Sequence, residues 1–232
     1  MSLDLIEIWA HMNGLARAIA GFLMLMMVAS VAVVVERSIA FLKVQSATRA
    51  FVDAAAQPLK DWKLNKLLEV SKKYGASPLA KLFEGMTSRY LEGLSRGGSL
   101  TPVEMARGES ARRLEQAGAD LRRGFSVLAS VGSVAPFVGL LGTVIGIMGA
   151  FGNIGASGSA GLGTVMTSIS EALVETAFGL LVAIPAVLFF NYLTGRVGAM
   201  ELALQSSVSE LLDEMENNYG HDSKHRRAEE AA

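Results

Sequence analysis

The sequence predicts an all-α membrane protein with three transmembrane helices, its N-terminus outside the cytoplasm and its C-terminus inside. Of its 232 residues, 51% are hydrophobic and 19% are charged, which is too apolar for an ordinary soluble domain of this length. Two uncharged stretches, from Ala18 to Val35 and between Arg123 and Glu171, are long enough to cross a bilayer. Most lysines and arginines lie between these stretches, which indicates the orientation.

The first apolar stretch, residues 18–35, reads AIAGFLMLMMVASVAVVV and has charged residues at both ends. Its length suits a transmembrane helix, and a cleaved signal peptide is the competing interpretation. A signal peptide begins with a basic region, whereas the residues before this stretch include Asp4 and Glu7. We therefore predict an anchored helix at 18–35. Residues 1–17 before it are predicted to form a periplasmic segment or a short interfacial helix anchored by Trp9.

The second apolar stretch has no charged residue between Arg123 and Glu171, which is too long for one crossing of about 20 residues. Within it, the segment NIGASGSAGLG at 153–163 is rich in Gly and Ser and lacks a helical apolar pattern. Such a segment is typical of a loop. The predicted divisions are a second span at 125–151, a loop at 152–169 and a third span at 170–193.

The positively charged residues beside the spans predict which segments face the cytoplasm. Between Glu36 and Arg123 there are 16 Lys or Arg against 10 Asp or Glu, whereas the loop at 152–169 has no Lys or Arg. Because Lys and Arg are retained on the cytoplasmic side, the helical region 36–124 is predicted to be cytoplasmic and the loop periplasmic. The C-terminal region, 194–232, is then a cytoplasmic helix with a polar tail.

Helix-start signals occur twice in the predicted cytoplasmic region. Ser77–Pro78 is a capping residue followed by a first-turn proline, and Thr101–Glu104 has the pattern of a capping box. No proline follows until Pro136, so one helix is expected to run from the cytoplasm directly into the second span. Glu109 and Arg113 lie four residues apart, a spacing that supports a solvated helix through an ion pair.

Five glycines follow one another at helical spacing in the second span: Gly132, Gly139, Gly142, Gly146 and Gly149. They leave a strip without side-chain bulk, where another helix can approach closely, and packing is the favoured role for the central three. Thr143 lies close to this strip. A lone threonine in a membrane helix commonly bonds to its own backbone, so Thr143 by itself is weak evidence for a pore.

The third span carries the polar residues Glu171, Glu175 and Thr176. An ionisable residue at the bilayer centre costs about 2.5 to 3.5 kcal/mol on insertion scales, so it needs water or a partner. The two glutamates are one turn apart and face nearly the same direction, which favours a polar cavity inside an assembly. A hydrated position at the membrane interface is the alternative for Glu171 and also for Glu175. Pro185, deeper in the span, is expected to bend it.

The sequence offers no residues for an enzyme, a metal site or an organic cofactor. There is no cysteine, and the three histidines, His11, His221 and His225, lack the spacing of a metal-binding cluster. The Gly/Ser loop has no P-loop lysine, so phosphate binding and ATP hydrolysis are not expected. The net charge of -1 gives no indication of a basic surface for nucleic acid.

Two segments, SVGSVAPFVGLLGTVIGIMGAF in the second span and SISEALVETAFGLLVAIPAVLFFN in the third, resemble the signature helices of the ExbB/TolQ/MotA family. The resemblance is to the ExbB and TolQ branch and is close over residues 126–191. It implies a homopentamer in the bacterial inner membrane, whose second and third helices surround a central channel. Two copies of a single-span partner similar to ExbD or TolR would lie in this channel, and the partner's membrane aspartate would carry the proton. The proton is then the coupling ion, without a cofactor.

Site residues follow from the resemblance, position by position. Thr143 in GLLGT and Thr176 in EALVET match the channel-lining threonines of the family, and Glu171 matches its third-helix glutamate. Pro136 and Pro185 match its helix-bending prolines.

The sequence departs from the family pattern at two positions. Glu175 stands where ExbB and TolQ usually have a small residue, and Ile145 stands where many members have Trp. With Glu175 included, the predicted lining of the proton pathway consists of Thr143, Thr176, Glu171 and Glu175.

The resemblance implies a stator subunit of a motor that converts proton-motive force into mechanical work through its partner. The work would be done on the outer membrane or envelope, as in TonB-type uptake, a Tol-type system or gliding motility, and the sequence does not choose among these. A membrane scaffold whose carboxylates pair with a neighbouring chain, or a passive channel without motor activity, is the alternative.

Overall fold

A computed structural model describes residues 14–96, 99–157 and 162–230. Within these ranges the chain consists of α-helices joined by short turns, without β-strands. The helices are α1 (Gly14–Lys60), α2 (Leu64–Lys73), α3 (Pro78–Arg96), α4 (Pro102–Leu121), α5 (Phe125–Ser157) and α6 (Leu162–Glu230). By length and composition, α1, α5 and α6 can each cross a membrane. The predicted all-α class with three candidate spans is confirmed, and the sides on which the termini lie stay a prediction.

The described chain divides into two compact units. One, here called the apolar unit, comprises residues 14–36 and 124–193 and contains the three predicted spans. The other, here called the polar unit, comprises residues 37–123 and 194–230.

The core of the apolar unit is built from all three of its helices. It consists of Ile19 and Leu23 of α1, Val131 and Ala135 of α5, and Val182, Ala183 and Ala186 of α6. Large apolar side chains cover the outside of this unit instead of charges: Phe137 is 69% exposed and Leu181 is 63% exposed. Such a surface suits contact with lipid or with other protein chains.

The polar unit has a conventional core of large side chains. The ring of Phe51 is fully buried and packs edge-on against Phe83, with ring centroids 5.6 Å apart. Tyr74 lies on another side of the same ring at 6.2 Å. The hydroxyl of Tyr90 donates a hydrogen bond of 3.3 Å to the carbonyl oxygen of Met215, which ties α3 to α6.

Both predicted helix-start signals in the polar unit are confirmed. The amide of Glu104 donates to the Thr101 hydroxyl at 3.2 Å, and the Glu104 carboxylate accepts from the Thr101 amide at 2.7 Å, forming the capping box of α4. The hydroxyl of Ser77 accepts from the amide of Ala80 at 3.3 Å at the start of α3. These bonds satisfy amide groups that the first turn of a helix otherwise leaves without partners.

Several ion pairs lie on the surface of the polar unit. The predicted pair of Glu109 with Arg113 is confirmed at 2.7 Å, and Arg112 contacts the same carboxylate at 2.7 Å. Hydrogen bonds from Arg113 and then Arg112 hold the pKa of Glu109 below its ordinary value. Arg122 forms a bidentate pair with Glu201, which joins the end of α4 to α6.

The prediction of one continuous helix from the cytoplasmic region into the second span is wrong. Helix α4 ends at Leu121 and α5 begins at Phe125, because Gly124 adopts a φ of +83°, which is outside the helical range. The amide of Arg123 bonds to the carbonyl of Asp120 at 3.4 Å, three residues back, as at a helix end. The helix is thus interrupted by a glycine, whereas the prediction rested on the absence of proline before Pro136.

Two connecting regions are more helical than the sequence predicts. In the predicted loop at 152–169, α5 extends to Ser157 and α6 begins at Leu162. In the predicted polar tail, α6 continues to Glu230. A polar sequence such as the tail cannot cross a membrane, but it can still form a helix. A glycine in the Gly/Ser segment destabilises a helix by only about 1 kcal/mol, so it does not by itself end one. Residues 1–13, which hold Trp9 and His11, lie outside the described residues, as do the side chains of His221 and His225.

Candidate functional site

Helices α5 and α6 approach each other most closely where a glycine of one faces the backbone of the other. A methyl group built onto Gly139 would lie 2.9 Å from the carbonyl oxygen of Glu175 and 3.0 Å from the Cα of Thr176. A methyl group on Gly179 would lie 2.7 Å from the carbonyl oxygen of Ala135. Backbone atoms cannot rotate away, so only glycine fits at both positions at this helix separation.

The next two glycines of the strip face side chains of α6. A methyl group on Gly142 would overlap the carboxylate of Glu175, and one on Gly146 would lie 2.7 Å from the Cβ of Ala172. Gly149, by contrast, has nothing within 4 Å of the place where a Cβ would be. The contact therefore includes Gly139, Gly142 and Gly146, and the slot at Gly142 is filled by a carboxyl group.

The two threonine hydroxyls make different hydrogen bonds. The hydroxyl of Thr143, which is 8% exposed, donates to the carbonyl oxygen of Leu140 in its own helix at 2.7 Å. The hydroxyl of Thr176 donates across the contact, from α6 to the carbonyl oxygen of Gly139 in α5, at 2.9 Å. Thr143 thus behaves as a lone membrane threonine commonly does, and Thr176 joins the two helices.

The two glutamates of α6 differ in burial. Glu175 is 4% exposed and lies against α5, whereas Glu171, one turn earlier, is half-buried. The Oε2 atom of Glu175 is buried and makes no hydrogen bond within the described part of the chain. No Lys, Arg or His occurs in the sequence between Arg123 and Arg196, so neither glutamate has a basic partner in these spans.

Both bending prolines predicted from the resemblance lie inside helices. Pro136 is within α5 and Pro185 is within α6. A proline lacks the amide proton that would bond to the carbonyl four residues earlier, which here belongs to Gly132 and Leu181 respectively. Each span therefore carries a carbonyl oxygen without its usual intrahelical donor.

The structure brings Thr176, Glu175, Gly139 and Gly142 together at one contact between α5 and α6. Glu171 lies one turn from this group on α6, and Thr143 follows Gly142 directly on α5. Gly179 belongs to the same contact but was not identified from the sequence. Gly179 follows Thr176 by three residues and Glu175 by four, so it lies on the same helix face as both. This spacing would have allowed it to be predicted.

The chemistry that these side chains offer is proton binding by the carboxyl groups and hydrogen bonding by the hydroxyls. In the part of the chain that the structure describes, no three His, Asp or Glu side chains come together as a possible metal site. Two carboxyl groups and two hydroxyls at or beside the contact form a polar patch on two otherwise apolar spans that contain no Lys, Arg or His. Such residues in a membrane span indicate an ion pathway.

Comparison with known proteins agrees with the geometry. Residues 84–206, just over half of the chain, match the MotA/TolQ/ExbB proton channel family. The matched segment includes most of α3, all of α4 and α5, and the part of α6 that carries the polar residues.

Several relatives are named "Biopolymer transport protein ExbB". The one from Pseudomonas putida is 31% identical over 190 residues, which is 80% of this chain and 56% of the relative. The one from Xanthomonas campestris pv. campestris (strain B100) is 57% identical over 72 residues, 31% of this chain and 28% of the relative. The one from Neisseria gonorrhoeae is 57% identical over 70 residues, 30% of this chain and 32% of the relative. The chain thus matches little more than half the length of these relatives at most. Because the family match covers more than half of the chain and includes the two spans that meet at the polar contact, this chain belongs to the MotA/TolQ/ExbB proton channel family.

Proposed function

We propose that the chain is the channel and stator subunit of a motor driven by the proton-motive force across the bacterial inner membrane. The observation that carries the proposal is the polar group Thr143, Glu171, Glu175 and Thr176 on two closely packed, otherwise apolar helices. The chain acts without enzymatic chemistry of its own and without a cofactor, and the proton is its coupling ion.

The mechanism needs a carrier for the proton and a force that moves it. A charge that crosses the membrane potential gains about 2.3 kcal/mol per 100 mV. Threonine does not titrate in the physiological range, so Thr143 and Thr176 line the pathway instead of relaying protons. The main carrier is a membrane aspartate on a single-span partner similar to ExbD or TolR. The threonine hydroxyls supply hydrogen bonds as this aspartate moves between hydrated and dehydrated positions.

The exposed surface of the apolar unit supports an assembly of several chains. Leu140, Met148 and Phe151 of α5 are 53%, 67% and 63% exposed, and Leu173 of α6 is 60% exposed. The three candidate spans of the described residues leave these apolar faces uncovered. A homopentamer around two partner helices, with α1 toward the lipid, would bury the faces of α5 and α6. The N-terminus is then periplasmic and the C-terminus cytoplasmic.

The work delivered by the motor is proposed to act on the cell envelope. The relatives' name, biopolymer transport protein, favours energy transfer for transport across the envelope, of the TonB type. A Tol-type system and gliding motility use the same kind of stator and are the alternatives within this proposal.

The decisive experiment is a proton-flux measurement in liposomes that contain the full chain and a co-purified single-span protein with a membrane aspartate. We expect potential-driven flux that requires both proteins. Thr176→Val should reduce this flux by about tenfold or more, because it removes the hydroxyl that bonds from α6 to the carbonyl of Gly139 in α5 while conserving volume.

The matched control is Ser30→Ala in α1. The hydroxyl of Ser30 is buried and bonds to the carbonyl of Met27 in its own helix at 2.9 Å, so its loss should leave flux within about twofold of wild type. Flux without the partner would favour a passive channel. Absence of flux from a well-formed complex would overturn the channel proposal and favour a scaffold.

A further inference from the structure

Glu175 is the most deeply buried carboxyl group of the described chain. Its side chain is 4% exposed and packs into the slot left by Gly142, where any larger residue on α5 would overlap the carboxylate. Gly142 of α5 therefore leaves the space that the carboxyl group of Glu175 of α6 fills. The carboxyl group is therefore packed within the contact between α5 and α6.

One oxygen of this carboxyl group is buried without a hydrogen-bond partner in the described chain. The hydroxyls of the two site threonines donate elsewhere: Thr176 bonds to the carbonyl of Gly139 and Thr143 bonds to the carbonyl of Leu140. The Oε2 atom of Glu175 has no hydrogen-bond partner in the described residues. An ionised carboxylate without a partner inside an apolar span costs several kcal/mol. The structure therefore holds this group where a bound proton, or a donor that arrives from another molecule, is required.

The charged groups around Glu175 are few. On its own helix, Glu171 lies one turn earlier, and it is the only other acidic or basic residue between Arg123 and Arg196. Helix α5, which packs against Glu175, has no acidic or basic residue at 125–157, and the apolar stretch of α1 has none at 18–35. Two acids one turn apart, without a base, tend to hold fewer than two negative charges.

We propose that Glu175 binds and releases a proton during each transport step, as a carrier within this chain that acts beside the partner's aspartate. In the step, a carboxylate oxygen of Glu175 takes a proton from a hydronium ion in the channel, which leaves a water molecule and the carboxylic acid. The acid O–H then passes the proton to the next acceptor, which is water or the carboxylate of the partner. No electron is transferred and no other reactant is consumed. This inference deepens the proposed function and rests on it, because a carrier role presupposes that the chain transports protons.

The protonation of Glu175 can be measured without any partner. In infrared spectra of the full chain in lipid bilayers at neutral pH, we expect the carbonyl stretch of a protonated, buried carboxylic acid. The band should vanish in Glu175→Gln and persist in Glu171→Gln, which is the matched control one turn away. A wild-type spectrum without this band, or a band that survives Glu175→Gln, would overturn the proposal.

The transport role is tested in the liposome assay with the partner present. Glu175→Gln keeps the shape and polarity of the side chain but cannot bind a proton, and we expect flux to fall by about tenfold or more. Glu175→Asp, which retains a carboxyl group, should recover part of the flux. Glu175→Ala is small enough for the slot and provides a second carboxyl-free variant if the glutamine misfolds.

The results separate the two proposals. If the wild type carries no partner-dependent flux, the proposed function fails, whatever the infrared spectra show. If the wild type conducts and the Glu175→Gln and Glu175→Ala complexes conduct within about twofold of it, the proposed function stands and the carrier role of Glu175 is refuted.

Discussion

The two units of the molecule pack their helices by opposite means. In the apolar unit, α5 and α6 meet through Gly139 and Gly179, so that backbone lies against backbone. In the polar unit, large side chains fill the interior, with Phe51, Leu82 and Met86 each at most 1% exposed. The surfaces also differ, because large apolar side chains cover the first unit and ion pairs cover the second.

The difference reflects the solvent that each unit is predicted to meet. In water, burying large apolar side chains provides the driving force, at about 25 cal/mol for each Å² of apolar surface removed. In lipid this force is absent between helices, and close backbone approach with interhelical hydrogen bonds replaces it. Removal of volume should therefore damage the polar unit, and addition of volume should damage the apolar unit.

The largest effect is expected for removal of bulk from the polar unit. Phe51→Ala should lower the free energy of unfolding of this unit by about 3 to 5 kcal/mol, because it leaves a cavity beside Phe83 and Tyr74. Hydrogen-exchange mass spectrometry of the detergent-solubilised full chain can resolve the two units. The control is Val52→Ala at the neighbouring position, which is 50% exposed and should change little. Equal loss of protection in both variants would contradict the core position of Phe51.

An intermediate effect is expected when bulk is added to the apolar unit. Gly139→Ala places a methyl group 2.9 Å from the carbonyl oxygen of Glu175, and overpacking of this kind costs about 1 to 3 kcal/mol. Thermal unfolding of the purified protein should show the loss. Gly149→Ala adds the same atom to the same helix with nothing within 4 Å, and it should be neutral or slightly stabilising. If both variants melt alike, the close approach of α5 and α6 at Gly139 is wrong.

The smallest effect concerns the charges of the polar unit. Hydrogen bonds from Arg113 and Arg112 lower the pKa of Glu109 from its ordinary value of 4.5, so the folded state favours the ionised form. The stabilisation is present above pH 4.5 and is lost as the pH falls through the lower, folded pKa. Its size is about 1 kcal/mol or less, since the pair is near the surface.

Glu109→Gln should therefore be less stable than wild type at neutral pH and should lose less stability on acidification. Thermal melts from neutral pH to below pH 4.5 measure both properties. Glu115→Gln, an exposed position on the same helix, should keep the wild-type slope. A Glu109→Gln protein with an unchanged pH profile would show that this ion-pair cluster does not contribute to acid sensitivity.

Much of the fold could be predicted from the sequence because its signals are local. The uncharged run at 18–35, the capping box of Thr101 with Glu104, and the pair of Glu109 with Arg113 each depend on residues only a few positions apart. The break at Gly124 was missed, although it is also local, because a glycine's φ depends on the conformation that its neighbours impose.

For the candidate site, the sequence by itself determined the inventory: two hydroxyls, two carboxyls and a glycine strip on two apolar spans without a basic residue. Tertiary structure decided their roles. The hydroxyl of Thr176 bonds to the carbonyl of Gly139, 37 residues away, whereas the hydroxyl of Thr143 bonds within its own helix. Glu175 is buried in the slot at Gly142, and Glu171 is half-buried. Helical periodicity places the two glutamates on one face, but burial depends on which residue of α5 lies opposite each one. That relation is set by the packing of two helices, which no pattern within either helix contains.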